Sequence, residues 1–144
     1  MSAAPANWKE MLDRANAEVN ALPYVSDAKQ YGVAEHWVDI RKTGKGDCDD
    51  YAIGKLNVLY ERGYPLEMLR LATVTVPFGL TLNDLDGPQN KEGQAVLVAD
   101  TPEGIRILSN GLSVKSAASF FAMGFRPIKI QETGGQRKWV KWEA

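Results

Sequence analysis

This 144-residue chain holds one cysteine and one histidine, few of the two side chains most used in nucleophilic catalysis. One cysteine excludes an internal disulfide, so the fold does not depend on oxidation. A single Cys and a single His also cannot build a zinc centre without several carboxylates, which discounts zinc. Net charge is nearly absent: 17 Lys and Arg against 18 Asp and Glu leave −1. That balance gives no electrostatic grip on nucleic acid or on an anionic membrane, so neither partner is expected. Long apolar runs are missing as well, and nothing approaches the ~20 residues needed to span a bilayer. The opening Met1-Ser2-Ala3-Ala4-Pro5-Ala6-Asn7 has neither a basic region nor an apolar core. No secretory signal is expected from it, and a cytoplasmic location or incorporation in a virion is the expectation.

What remains is ordinary for a globular protein, with 44% apolar and 24% charged residues. No repeat, low-complexity tract or linker interrupts the chain, so one domain over 1–144 is expected. Trp8, Met11, Leu12, Ala15, Val19 and Leu22 recur at steps of three and four, which predicts a helix to about Ala21, stopped by Pro23. A second helix is expected from Cys48 to Glu61, capped by Asp47 and ended near Gly63, burying Ala52, Ile53, Leu56, Leu59 and Tyr60. Between them, Trp37 to Ile40 is expected as a short ordered piece. Residues 65–69 suit one helical turn.

Beyond this the period becomes that of strands. Leu71 to Val76 is β-branched and alternating. Residues 77–92, rich in Gly, Pro, Asn and Asp, are expected as a long exposed loop suited to a partner. Ala95 to Ala99 and Gly104 to Leu108 form a hairpin pattern around Asp100 to Glu103. A helix is expected from Ser113 to Met123, then strands from Phe125 to Gln131 and Lys138 to Trp142, turning at Gly134-Gly135. The Lys-Trp pairs at 138–142 fit an edge strand with charged gatekeepers better than a base-stacking surface. The fold class is therefore α+β, with helices first and a mostly antiparallel sheet after them.

Cys48 lies in the run Gly46-Asp47-Cys48-Asp49-Asp50-Tyr51-Ala52-Ile53. At a helix N-terminus, free N–H groups and the helix dipole favour a thiolate. That run, followed by Lys55, Leu59, Gly63, Pro65 and Leu69-Arg70-Leu71, resembles the bacterial transglutaminase-like cysteine proteinase family, within the papain-like and transglutaminase-like group. Tyr24-Val25-Ser26-Asp27 and Trp37 resemble the same family's lead-in. Gln94-Ala95-Val96-Leu97-Val98 and Leu108-Ser109-Asn110 resemble its two later strand motifs.

The resemblance implies a Cys-His-Asp triad in which a thiol attacks an amide and an imidazole, held by a carboxylate, moves the proton. Carried onto this chain, Cys48 matches the nucleophile, while Gln94 stands at the histidine position and Ser109 at the aspartate position. A glutamine amide does not take up a proton near neutral pH, and serine offers no charge. A catalytically impaired homologue is expected, acting as a peptide- or protein-binding or structural module. A phage virion or tail component is one setting for such a module. The alternative is an active cysteine peptidase or amide-transferring enzyme with a non-standard base. The one histidine, His36, is read as a surface or half-buried residue beside Trp37, with a relocated base as the other reading.

Asp47, Asp49 and Asp50 suit helix capping and the helix dipole. In calcium-responsive relatives, the acids flanking the cysteine contribute to a calcium site, and Asp47 and Asp49 match those positions. Calcium is therefore the one cofactor the resemblance implies. Two adjacent acids supply only a minority of its six to eight oxygen ligands.

Overall fold

In the computed structural model the described residues are 3–22, 48–75, 94–135 and 138–143. The first helix, α1 (Trp8–Asn20), buries Trp8, Met11, Leu12, Ala15 and Val19, the stripe expected from their spacing. Asn16 joins that buried face at 3% exposure. The second helix, α2 (Cys48–Glu61), begins and ends where its pattern predicts. Its buried face differs, however. Tyr51, Ala52, Lys55, Val58 and Leu59 point inward, while Tyr60 is exposed. At 100° per residue Lys55 falls between Tyr51 and Leu59, so the inward arc centres on a lysine that composition alone assigns to solvent.

A 3-10 turn, Leu66–Met68, leads into β1 (Leu69–Thr75), which starts two residues earlier than its β-branched core suggests. Next come β2 (Gln94–Thr101) and β3 (Gly104–Leu108), the expected hairpin. Their turn is closed locally: Thr101 Oγ1 bonds the Gly104 carbonyl and accepts from Glu103 N, and Gly104 takes a positive φ of 98°. The helix expected over 113–123 is shorter than its pattern. Lys115–Ser116 instead form β4 against β3, and the helix α3 occupies only Ala117–Ala122. The cause is Ser116, whose side chain accepts from Ser119 N and caps the helix there. The chain ends in β5 (Arg126–Gln131) and β6 (Trp139–Lys141). The Trp37–Ile40 piece and the 77–92 loop lie outside the described residues.

The six strands form one sheet in the order β4-β3-β2-β1-β5-β6, with every neighbouring pair antiparallel. Its two faces make two cores. On one face α1 and α2 pack against Leu69, Leu97, Ala99 and Leu108. On the other, Ala72, Val74, Val96, Val98 and Ile107 meet Phe120, Phe125, Ile130 and Trp142. Phe120 and Phe125 stack there at 4.0 Å between ring centroids. Strand β2 is thus buried on both sides from Gln94 to Ala99, which explains its unbroken apolar run. Each fully buried aliphatic or aromatic side chain contributes about 1.5–3 kcal/mol of transfer free energy. Trp142 belongs to this core, and Trp139 lies half-buried under Lys129 on the edge strand.

Candidate functional site

The antiparallel register sets the site. Gln94 opens β2 opposite Val74, and Ser109 directly follows β3, whose last residue Leu108 pairs with Leu97. One further step of that register puts Ser109 beside Val96 and diagonal to Gln94, within reach of a long side chain. Gln94 Nε2 donates to Ser109 Oγ at 2.9 Å, with the two residues 4% and 1% exposed. The two positions that the resemblance singles out, 15 residues apart in sequence, are therefore in direct contact.

The bond keeps the polarity of an imidazole–carboxylate pair, with an N–H on the first residue and an oxygen acceptor on the second. It lacks the charge and the mobile proton. An amide donates and accepts hydrogen bonds without titrating, and a hydroxyl stabilises no imidazolium. What the pair can do chemically is hold a fixed polar wall.

Helix α2 arrives at the same end of β2. Tyr64, just past the end of α2, donates its hydroxyl to the Asp100 carbonyl at 2.6 Å, near the far end of β2. Since α2 packs along β2, helix and strand run in the same direction, and Cys48 and Gln94 both start at the opposite end. Tyr51, one turn into α2, bonds the Leu22 carbonyl just beyond α1 and ties the two helices together. Asp47 and His36 lie outside the described residues, as do the side chains of Cys48, Asp49 and Asp50. Among the described residues no group of three or more His, Cys, Asp or Glu could hold a metal ion. No helix among them is long and apolar enough to cross a membrane.

Two features of the helices escape a reading of the sequence. The first is Lys55, 1% exposed, whose burial pushes its ammonium down to about 7. Burial also pushes the Tyr51 and Tyr64 hydroxyls up to about 12, with the Asp100 carboxylate adding to the rise at Tyr64. The second is a pair of asparagines on α1. Asn16 Nδ2 donates to the Leu112 carbonyl at 2.7 Å, and Asn20 Nδ2 reaches the Ser109 and Leu112 carbonyls at 3.3 and 3.2 Å. The only signal in the sequence is two amides spaced i, i+4 beside an apolar stripe. The segment they grip is itself a tight turn, with Leu112 N bonded to the Ser109 carbonyl and Gly111 at φ 77°.

A family model described as bacterial transglutaminase-like cysteine proteinase matches residues 1–144. No curated protein matches the chain. Among solved structures it is similar to Legionella pneumophila LapG. The EGTA-treated form aligns at 24% identity and TM-score 0.65, over 94% of this chain and 68% of that one. The calcium-bound form aligns at 23% and 0.67, over 94% and 72%. A third LapG structure aligns at 25% and 0.67, over 92% and 68%. These likenesses establish the fold: helices packed on an antiparallel sheet, as the α+β expectation holds.

Proposed function

Because the chain belongs to the bacterial transglutaminase-like cysteine proteinase family, we propose that it is a catalytically impaired member whose former substrate groove binds an extended peptide or a protein partner. The observation that carries this reading is the buried Gln94–Ser109 hydrogen bond. It fills the proposed seats of the base and its orienter with groups that neither accept a proton nor carry charge, and losing such members costs orders of magnitude in rate. In this reading Cys48 is a retained nucleophile position for which residue 94 supplies an amide instead of the family's imidazole. The groove would then lie where α2 and β2 begin, with Gln94 and Ser109, buried and bonded to each other, as part of its inner wall rather than as free partners for a backbone. The setting we propose is a larger particle, such as a phage virion or tail, on the strength of the replaced pair alone.

Calcium enters only as a ligand of the same turn. Among the described residues no group of three or more His, Cys, Asp or Glu could hold it, Asp47 and the Asp49 side chain lie outside them, and no step of this reading passes through the ion. Calorimetric titration decides the matter. A heat of binding lost in both Asp47→Asn and Asp49→Asn places calcium there, and no heat with an unchanged melting temperature removes it.

Turnover tests the main proposal. Purified protein is incubated with a peptide library, with and without calcium, beside a Cys48→Ala control. The expected result is no cleavage above the control, together with retention of extended peptides on the immobilised protein. Cleavage that Cys48→Ala abolishes overturns the proposal in favour of an active cysteine peptidase with a non-standard base. Loss of that cleavage in His36→Ala would name the base.

A further inference from the structure

The last two turns of α1 reach the candidate site from the far end of the sequence. Asn16 and Asn20 are four residues apart and therefore share one helix face. Asn16 is 3% exposed, and both side chains spend their donors on backbone carbonyls of the segment that carries Ser109. Asn20 Nδ2 also approaches Asn16 Oδ1 at 3.4 Å, which joins the two amides into one unit. These contacts span 89 to 96 residues of sequence. Ser109 and Asn110 are buried at 1% and 2% exposure, yet they lie beyond β3, where no further rung of the β2–β3 ladder holds them. A buried segment outside the ladder takes its position from whatever satisfies its polar groups. Among the groups that do so here are the Ser109–Leu112 turn and the two asparagines.

We propose that Asn16 and Asn20 are positioning residues that set Ser109 against Gln94, so that α1 fixes the polar wall of the candidate site. The proposal rests on the reading of Gln94 and Ser109 as that wall. The amides act through the backbone: they hold the Ser109 and Leu112 carbonyls, the carbonyls fix the turn, and the turn aims the Ser109 hydroxyl at Gln94 Nε2. Leu112 is half-buried against the α3 side of the sheet, so the clamp also ties that second core to the site.

Hydrogen exchange read by nuclear magnetic resonance tests this without any ligand. The probes are the side-chain amide protons of Gln94, with the backbone amides of Val96 to Val98 as an internal measure of global opening. Asn20→Leu and Asn16→Leu keep bulk and remove the donors, and Asn20→Ser is a milder variant should the leucines fail to fold. The expected result is exchange at Gln94 Nε2 faster by about tenfold or more, the equivalent of one hydrogen bond lost. The central β2 amides change much less. The proposal is overturned if Gln94 stays as protected as in the parent, or if it loosens only in step with Val96 to Val98, which a merely structural asparagine would produce. Because no peptide is present, failure here is separate from failure of the binding reading, which the cleavage and retention assays decide.

Discussion

Gln94 and Ser109 are each other's partners in the interior, joined amide to hydroxyl at 2.9 Å. Removing one side leaves a desolvated group on the other. Ser109→Ala strands the Gln94 donor and is expected to cost about 1–3 kcal/mol. Replacing both, as Gln94→Leu with Ser109→Ala, costs less than the sum of the single changes. Urea unfolding of the four proteins checks this, with a coupling of about 1 kcal/mol expected.

The same contact predicts what restored chemistry would need. Gln94→His with Ser109→Asp puts a titrating base and its orienter on positions already within hydrogen-bond reach. Cys48-dependent peptide cleavage is expected to appear, about a hundredfold or more above the Cys48→Ala background, the lower end of what a positioned general base supplies. Steady-state hydrolysis with the Cys48→Ala control measures it. No gain in the double variant, with the fold intact by circular dichroism, would mean that the positions are not the seats of a triad.

Lys55 predicts a pH dependence of stability. Its folded-state value is about 7, against 10.5 in the unfolded chain, so between those limits the unfolded state binds more protons. Stability from this group therefore increases as pH rises from 7 towards 10.5 and is flat below 7. The buried tyrosines act oppositely only above about pH 10, since their raised values make the folded state hold protons longer. Lys55→Met should remove the slope between pH 7 and 9.5 and stabilise the protein at pH 7 by on the order of 2–4 kcal/mol. Thermal denaturation across that range reads both effects.

Gly134 is held by space. A side-chain methyl there would run into the carbonyl oxygens of Leu66 and Leu69, where the turn after β5 lies against the 3-10 turn before β1. Backbone oxygens cannot rotate away as a side chain can. Gly134→Ala is expected to destabilise by about 2 kcal/mol or more. Gly63→Ala meets no atom within 4 Å, and its cost comes from a φ of 102° alone, closer to about 1 kcal/mol.

The fork between Arg62 and Glu18 joins α1 to the residue just past α2 at 2.7 and 2.9 Å, and the Arg62 bond holds the Glu18 carboxyl below its usual range. Both side chains are about half exposed. Glu18→Gln should therefore cost no more than about 1 kcal/mol, and less in 1 M salt.

The elements were largely legible because their patterns are local. The α1 stripe, the span of α2 and the β2–β3 hairpin follow from spacing and turn residues. The helix at 113–123 is shorter than its period suggests because the period says nothing of the Ser116 cap or of pairing between β4 and β3. Lys55 lies inward and Tyr60 outward on α2 because angle on the helix wheel, not residue type, decides which side chains meet the core. At the site, motif likeness pointed to Gln94 and Ser109, and the sheet register brought them together. Asn16 and Asn20 could not be found that way, because contacts between residues 89 to 96 positions apart leave no periodic trace.

Among the described residues the outermost strands of the sheet, β4 and β6, hold two and three residues. Such stubs offer an incoming chain only a few free backbone groups, and β6 carries Lys141 among them. Lateral growth from sheet to sheet between copies is accordingly discouraged at both ends, so the protein should remain dispersed at concentrations where a longer bare edge would seed fibrils.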